Sequence, residues 1–259
     1  MLLNHKTALV FASGGAVGSA VARRFAAEGA QVFLSGRHED SVKPLAHELD
    51  AQWEVVDATN DLEVSSYVDR IANRTHGIDV VFNAIGPRPA EAGYATPSTH
   101  LPLEAFLLPL RMIAGSQFLS ARAAARHMIS RKRGAIVILS ASLTGHFIPF
   151  MTGVTAACGA VEGLARSLAA ELGPHGIRVN CVRAGGMPET RTIRETTARM
   201  AELMTAAGES GAPPGMATVM RRPLATSEMA ATVAFVASDV ASGIAGQVVN
   251  ACAGAIVSR

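Results

Sequence analysis

A turn of small residues near the N-terminus is the first pattern in this chain with a chemical use. Residues 12–18 read ASGGAVG, after an apolar run at 7–11 and before apolar residues at helical spacing over 19–28. Where such a turn meets a helix start, unpaired backbone N–H groups and the positive end of the helix dipole point at one place. This arrangement suits the pyrophosphate of a dinucleotide. The predicted contacts are Ser13, Gly14, Gly15, Val17 and Gly18.

The turn departs from the usual dinucleotide pattern at two positions. That pattern has glycines where the turn tightens, where the backbone approaches phosphate, and where the helix packs on the strand. Ala12 and Ala16 occupy the first two places, and Gly18 occupies the third. A methyl group at Ala16 narrows the room for a pyrophosphate without abolishing it. A turn that merely packs remains the alternative.

The next three strand-like runs, at 31–35, 53–56 and 79–82, end in residues fit for the edge of a cofactor. A cation at Arg37 would meet a ribose 2′-phosphate, which favours NADP(H) over NAD(H), although a solvated charge is the alternative. Asp57 would accept a hydrogen bond from the adenine amine or cap the following helix. The cofactor-binding residues predicted at these strand ends are Arg37, Asp57, Ala58, Asn83, Ala84 and Gly86.

Strand-like runs alternate with helical patterns along the chain. Helices are expected at 41–49, 62–75 and 105–128, and a fifth strand at 134–140. Short connections between such elements mean parallel strands joined by right-handed helical crossovers. Because no linker or composition shift divides the 259 residues, we predict one α/β domain over 1–259. Its predicted architecture is Rossmann-like, a doubly wound parallel sheet in a three-layer αβα sandwich.

Composition excludes several classes of protein. The net charge of +2 is too small and too dispersed to indicate nucleic acid binding. No apolar run reaches the roughly 18 to 20 residues of a membrane span, so no membrane partner is expected. The N-terminus lacks the order of a secretory signal, which predicts a cytoplasmic protein. Cys158, Cys181 and Cys252 are far apart and odd in number, so neither a disulfide nor a metal site is predicted.

Residues 140–190 read SASLTGHFIPFMTGVTAACGAVEGLARSLAAELGPHGIRVNCVRAGGMPET, and residues 221–250 read RRPLATSEMAATVAFVASDVASGIAGQVVN. Together with the turn at 6–29 and the sequence NAIG at 83–86, they resemble a short-chain dehydrogenase/reductase of the β-ketoacyl reductase-like kind. The resemblance covers nearly the whole chain and implies an oxidoreductase. It also implies a Ser, a Tyr and a Lys spaced Tyr-x-x-x-Lys on the helix after the fifth strand, and an Asn on the preceding helix. In that family the lysine lowers the pKa of the tyrosine, which passes a proton to the substrate oxygen.

Three of these four catalytic positions are vacant in this chain, so the motif is degenerate. The alignment places Val154 at the tyrosine position, Cys158 at the lysine position and Ile113 at the asparagine position. Valine and isoleucine cannot move a proton, and a thiolate has the wrong charge to lower the pKa of a neighbouring acid. Only the serine position is filled, by Ser142 or, if the loop carries an extra residue, by Ser140.

The enoyl reductase branch of the same superfamily uses a longer spacing between tyrosine and lysine. Its loop after the sixth strand is similar to residues 184–186, and its Ala at the first glycine position matches Ala12. That spacing places Met151 at the tyrosine position and leaves Cys158 at the lysine position. The chemistry of that branch is therefore missing as well.

Another residue would have to supply the proton. Tyr94 lies in a proline-rich segment, 87–109, close to where a substrate would enter. His100 shares that segment and His146 follows the serine segment, and an unperturbed histidine titrates near ~6.5. Each of the three has a surface-loop residue as its alternative. Cys158 is a candidate nucleophile, with a buried inert thiol as the alternative.

Residues 187–222 would form a lid over the substrate. Its methionines favour an apolar substrate or a hydrophobic partner helix, with core packing as the alternative. The resemblance also implies pairing through two helices, which are rich in Ala and Gly at 114–125 and 156–170, so a homo-oligomer, a dimer or a tetramer, is expected. The lid methionines are Met187, Met200, Met204, Met216 and Met220.

Two functions remain open at this point. The first is an NADP(H)-dependent oxidoreductase with a substituted proton donor, acting on an apolar small molecule. An activated alkene or an imine would suit it, because their reduction needs little protonation of oxygen. The second is a catalytically inactive homologue that serves as a structural or regulatory subunit, beside an active homologue.

Overall fold

Parallel strands form one central sheet in the computed structural model, which describes residues 1–146, 148–206, 208 and 217–257. The strands in these ranges are β1 Thr7–Phe11, β2 Gln31–Gly36, β3 Gln52–Val55, β4 Val80–Asn83, β5 Gly134–Ala141, β6 Ile177–Ala184 and β7 Val248–Ala251. Their order in the sheet is β3-β2-β1-β4-β5-β6-β7, and every neighbouring pair is parallel.

Helices connect successive strands. In the described ranges they are α1 Ala16–Ala27, α2 Glu39–Glu48, α3 Asp61–Thr75, α4 Leu103–Pro109, α5 Ser116–Arg131, α6 Thr152–Leu172, α7 Arg191–Ala206 and α8 Thr226–Ala237. A π-helical turn, Leu110–Gly115, joins α4 to α5, and a 3₁₀ turn, Ser142–Gly145, follows β5.

The helices cover both faces of the sheet and make three layers. Phe25 of α1, Leu45 of α2 and Met229 of α8 share one buried cluster with β1. Tyr67 of α3 and Val161 of α6 belong to a second cluster on the other face. All five residues of β1 are buried, because helices cover both faces of the sheet. Strands in this position are nearly continuous apolar runs. The predicted doubly wound αβα sandwich is confirmed.

Most predicted element boundaries agree with the structure to within one or two residues, and two elements differ by more. The first helix begins at Ala16, rather than at 19, so the small-residue turn supplies its first turn. The long helix predicted over 105–128 consists of α4, the π-helical turn and α5. α5 stops at Arg131, within a basic run at 126–133, and its C-cap residue Lys132 has a φ of 51°.

The strand order reverses between β1 and β4, which are neighbours in the sheet but are separated by two strands in the sequence. Their following segments leave in opposite directions, which opens a crevice at the carboxyl ends of the strands. Ligands of doubly wound sheets bind at this switch point. The small-residue turn and the sequence NAIG at 83–86 both lie there.

The turn after β1 depends on Gly18. A Cβ atom at this residue would lie 2.4 Å from the Ala12 carbonyl oxygen and 2.8 Å from the Ser13 Cα. Both are backbone atoms, so relief requires the turn to move away from α1. At Gly15 a Cβ would lie 3.6 Å from the same carbonyl oxygen, an ordinary contact.

We expect Gly18→Ala to lower the free energy of unfolding by about 1–3 kcal/mol, because the added methyl group overpacks the junction of α1 with β1. The matched control, Gly15→Ala, should cost less than about 1 kcal/mol, since it changes only an uncapped helix start. Urea unfolding followed by far-ultraviolet circular dichroism measures both. Equal losses in the two variants would contradict this account of Gly18.

Candidate active site

A cavity of about 280 Å³ opens at the switch point and extends beneath α7. Its walls come from the start of α1, the carboxyl ends of β4, β5 and β6, one face of α6 and one face of α7. No charged side chain of the described residues lines it. The lining residues are Val17, Ala84, Ile85, Gly86, Tyr94, Ile113, Leu139, Ser140, Ala141, Ser142, Leu143, Ile148, Met151, Val154, Cys158, Ala184, Gly185, Gly186, Met187, Thr190, Thr192, Ile193, Thr196, Thr197 and Met200.

Several hydroxyl groups line this cavity, and some of them are already bonded within the protein. The buried Thr196 hydroxyl has no hydrogen-bond partner among the described residues. The Ser140 hydroxyl donates to Glu162 over 2.9 Å, and the Thr190 hydroxyl donates to the Met187 carbonyl over 2.8 Å. By contrast, the side-chain oxygens of Tyr94 and Ser142 form no hydrogen bond within the described part of the chain, although the two residues are 4% and 8% exposed. Both residues are among those for which the sequence predicted a catalytic role.

An unusual backbone brings Tyr94 to the cavity. Gly93 and Ala95, on either side of it, have φ angles of 63° and 57°, in the left-handed region. That conformation costs a non-glycine residue such as Ala95 about 1–2 kcal/mol. Strained residues of this kind concentrate at functional sites. Burial, with a smaller contribution from Cys158, raises the pKa of Tyr94 well above its usual range, so the phenol stays protonated at physiological pH.

The positions that the resemblance assigns to tyrosine, lysine and asparagine all border the same cavity. Val154 and Cys158 lie one helical turn apart on α6, and Ile113 lies in the π-helical turn before α5. Met151, the tyrosine position of the enoyl reductase spacing, also lines the wall. Burial raises the pKa of the Cys158 thiol, which favours the inert form of the thiol. Proton transfer at this wall therefore requires another donor.

A buried ion pair lies behind the Ser140 side of the cavity. Arg183 of β6 donates to both carboxylate oxygens of Glu162, over 2.9 Å and 2.6 Å. Thr144 and Ser140 donate to the same carboxylate over 2.7 Å and 2.9 Å. Burial alone would raise the pKa of Glu162, but these hydrogen bonds outweigh burial and hold the pKa below its ordinary value. Sequence reasoning missed this pair, since Glu162 reads only as a charge in a helical repeat.

The first turn of α1 fits an anionic group. Its N-cap residue, Gly15, offers no side-chain acceptor to the free N–H groups, and no acidic residue lies in the first turn. Ala16 is exposed at the helix start. Ala12 has a φ of 55°, which explains why a glycine suits its position in the usual pattern. A Cβ at Gly14 would lie 2.6 Å from the Ser41 carbonyl oxygen, so α2 packs tightly on this turn.

The side chains of two other predicted cofactor residues bond within the protein. Ser13 is fully buried and its hydroxyl donates to the Ser35 carbonyl over 3.1 Å. The Asn83 amide donates to the hydroxyls of Ser116 and Ser120 over 3.3 Å and 3.2 Å, which ties β4 to α5. Any contact of these residues with a cofactor would use their backbone.

Arg37 and Asp57 lie at the ends of β2 and β3, where the sequence predicted them. Arg37 is exposed, while Asp57 is half-buried and accepts from the Thr59 N–H and hydroxyl over 2.9 Å and 2.7 Å. Burial opposes the charge on Asp57, but these bonds and the nearby Arg37 hold the pKa of Asp57 below its usual value. Asp57 does not cap α3, because the cap is Asn60, which accepts from the Leu62 and Glu63 N–H groups.

The other candidate donors lie away from the cavity wall. His100 is exposed and bonds to Thr99, while the His146 ring bonds to the Ala255 carbonyl. Tyr67, the second tyrosine, is buried on α3 with its ring edge against Phe11, and the ring centroids are 5.6 Å apart. Of the alternatives to the missing tyrosine, only Tyr94 and Cys158 line the cavity.

The methionines of the segment predicted to form a lid differ in their burial. Met187 and Met200 are buried and line the cavity beneath α7. Met204 is half-buried and packs against the cluster that contains Tyr94, whereas Met220 is 57% exposed. Met216 lies outside the described residues. The methionines that line the cavity thus come from α7 and from the residues before it.

The fold and the cavity define a class of protein: a doubly wound α/β domain with a nucleotide-type turn and a ligand cavity at its switch point. A family model described as enoyl-(acyl carrier protein) reductase matches residues 12–255. The chain belongs to the short-chain dehydrogenase/reductase superfamily, a superfamily of oxidoreductases. The predicted family is confirmed.

Named relatives support this placement. Tropinone reductase-like 3 of Erythroxylum coca is 31% identical over 261 residues, covering 96% of this chain and 92% of that protein. The (-)-isopiperitenol/(-)-carveol dehydrogenase, mitochondrial, of Mentha piperita is 32% identical over 253 residues, covering 94% and 91%. A short-chain type dehydrogenase/reductase structure from Mycobacterium ulcerans matches with a TM-score of 0.86 and 25% identity, covering 100% of this chain and 92% of that one.

Two further properties of the described residues concern membranes and metal ions. Across the ranges that the structure describes, no helix is both long enough and apolar enough to cross a bilayer. The same ranges contain no group of three or more His, Cys, Asp or Glu side chains arranged to hold a metal ion.

Glu162→Gln should change how stability responds to acid. The pKa of Glu162 is lower in the folded state than its ordinary value of about 4.5. The ionised carboxylate therefore contributes fully to the free energy of unfolding above pH 4.5, and this contribution is lost as the pH falls through the folded pKa. The variant leaves Arg183 without its counter-charge, and we expect a loss of about 3–5 kcal/mol at neutral pH. It should then lose less further stability than wild type below about pH 4.5.

Urea unfolding at a series of pH values measures this difference. Glu171→Gln, at an exposed position on the same helix, is the matched control and should follow the wild-type curve. Parallel curves for wild type and Glu162→Gln would contradict the role given to the buried pair.

Proposed function

We propose that this protein is an NADP(H)-dependent oxidoreductase that acts on a neutral apolar small molecule, with Tyr94 in place of the family's usual tyrosine. One observation carries the proposal. Tyr94 is 4% exposed and lines a cavity without charged side chains, and its phenol hydroxyl forms no hydrogen bond among the described residues. That hydroxyl is therefore free to donate a hydrogen bond to a ligand in the cavity.

The residues around the turn would hold the cofactor. Backbone N–H groups at the start of α1 suit its pyrophosphate, and Ala84 and Gly86 line the cavity where its reactive end would lie. Arg37, exposed at the end of β2, supports NADP(H) over NAD(H), since a guanidinium suits a 2′-phosphate. When bound, the cofactor supplies or accepts a hydride. Ser13, Gly14, Gly15, Val17, Gly18, Asp57, Ala58 and Asn83 complete the proposed cofactor site.

Tyr94 would act as a donor of a hydrogen bond or proton to the polar atom of the substrate. Ser142 would donate a second hydrogen bond to the same atom, because its hydroxyl is free in the same cavity. No cation of the described residues lines the cavity to lower the pKa of the phenol, so it would be a weak acid and would act mainly as a hydrogen-bond donor. The arrangement therefore suits an activated alkene or an imine, whose reduction needs little protonation of oxygen, and a carbonyl would be polarised by the hydrogen bond.

The walls of the cavity support an apolar substrate. Ile148, Met151, Val154, Ile193 and Met200 are among its lining side chains, and a carboxylate or phosphate group would find no counter-charge there. The relatives' names, tropinone reductase-like and carveol dehydrogenase, agree with a small alicyclic ketone or alcohol. We therefore propose a compact neutral ring compound as the substrate.

Val154, Cys158 and Ile113 favour a second candidate, an inactive homologue that serves as a structural or regulatory subunit. Either candidate is proposed to form a cytoplasmic homo-oligomer, a dimer or tetramer, beside an active homologue in the second case. The exposed small residues of α6 support close pairing across a two-fold axis, since a Cβ at Gly159 or Gly163 would meet no atom within 4 Å.

Titration with NADPH, followed by its fluorescence, separates the two candidates. We expect saturable binding, and Arg37→Gln should weaken NADPH binding about tenfold while leaving NADH binding unchanged, because only NADPH carries the 2′-phosphate. Arg126→Gln, an exposed arginine on α5, is the control. Absence of binding at millimolar cofactor would leave the inactive homologue, and equal effects on both cofactors would contradict the role of Arg37.

Tyr94→Phe should lower turnover about 100-fold while NADPH affinity stays unchanged, because the variant removes only the proton donor. Turnover is measured on the best substrate from a screen of cyclic ketones, imines and activated alkenes. The absorbance of NADPH reports the rate in each case. Tyr67→Phe alters the only other tyrosine, which lies outside the cavity, and should keep turnover within about twofold of wild type. Unchanged turnover in Tyr94→Phe would refute the proposed donor.

A further inference from the structure

We infer that Arg199 of α7 is a positioning residue that holds the Tyr94 phenol in the cavity. The inference rests on the proposed function, in which that phenol meets the substrate. Arg199 touches neither the cavity nor the phenol hydroxyl, and it acts through the backbone of Tyr94.

The contact joins distant parts of the chain. The Arg199 Nε donates to the Tyr94 carbonyl oxygen over 3.3 Å, across 105 residues of sequence. A guanidinium is a charged donor, and hydrogen bonds from charged donors are stronger than those between neutral groups. The next residue, Met200, is buried in the same cluster as Tyr94, Val154 and Cys158. α7 therefore holds this segment at two neighbouring points, one on the backbone and one in the apolar cluster.

The segment around Tyr94 needs an external contact to keep its shape. Gly93 and Ala95 both have positive φ, and a Cβ at Gly93 would lie 2.2 Å from the Leu101 Cδ1. The Tyr94 N–H donates to the Pro89 carbonyl over 3.0 Å, but that bond lies within the segment itself. Strained conformations persist only where the surrounding structure fixes them. Arg199 supplies that fixing contact from outside the segment.

The arrangement links substrate fit to the placement of the proton donor. Thr192, Ile193 and Thr196 on the same helix line the cavity, so a substrate beneath α7 contacts the helix that holds Tyr94. A shift of α7 would move the Tyr94 carbonyl and, with it, the phenol. Loss of the Arg199 contact should therefore affect turnover more than substrate binding.

Fluorine NMR of protein labelled with 3-fluorotyrosine tests the inference without any turnover. The chain has two tyrosines, Tyr67 and Tyr94, so two resonances are expected, and Tyr94→Phe assigns them. Arg199→Met should shift or broaden the Tyr94 resonance and leave that of Tyr67 in place, which also shows that the variant is folded. Arg199→Lys, which keeps a charged donor, should restore most of the wild-type spectrum.

Arg191→Met is the matched control, because Arg191 lies on the same helix and pairs with Glu195 over 3.6 Å, away from Tyr94. Its spectrum should equal that of wild type. An unchanged Tyr94 resonance in Arg199→Met would overturn the inference even if Tyr94→Phe abolishes turnover. A shifted resonance together with normal turnover in Tyr94→Phe would support the positioning role and reject the proposed function.

Kinetics give the second measurement. Arg199→Met should lower kcat about tenfold with KM within about twofold, because the phenol is misplaced while the cavity wall remains. In a Tyr94→Phe background the same change should have no further effect, since Arg199 acts through the missing hydroxyl. An equal tenfold loss in that background would show that Arg199 acts by another route and would overturn the inference.

Discussion

The chemistry of this protein depends on an apolar cavity in which no described side chain carries a charge. Such surroundings keep the Tyr94 phenol and the Cys158 thiol protonated, since burial raises the pKa of both groups. Glu162 and Arg183, which lie behind Ser140, are paired with each other. The cavity therefore offers neutral hydroxyl groups and apolar walls, and it selects for neutral ligands.

Nucleotide binding depends mainly on the shape of the backbone, whereas proton transfer depends on particular side chains. A pyrophosphate is held mainly by backbone N–H groups, so the site survives substitutions such as Ala12 and Ala16 while the turn keeps its shape. Proton transfer needs particular side chains at particular places. Val154 and Cys158 occupy two of those places and supply neither a phenol nor an ammonium group.

The sequence predicted the fold well because its signals are local. The small-residue turn, the apolar runs and the helical repeats each indicate an element without reference to distant residues. The substitutions at the tyrosine and lysine positions, Val154 and Cys158, could likewise be identified within one helix. Side-chain direction was less predictable: Ser13 and Asn83 turn inward, and Asn60 rather than Asp57 caps α3, because those outcomes depend on packing. The Glu162–Arg183 pair and the Arg199 contact join residues far apart in sequence, and no local pattern reports them.

The π-helical turn Leu110–Gly115 sets the rotation of the helix that follows it. Such a turn holds one residue more than a regular α-helical turn, and π-helical turns are frequent at functional sites. Removing that residue would rotate all of α5 by about 100° about its axis. The rotation would break the bonds of Ser116 and Ser120 to Asn83 and those of Gln117 to both backbone groups of Leu139. The extra residue of the π-helical turn is thus held in place by contacts made later in the helix, whatever side chain stands at Ile113.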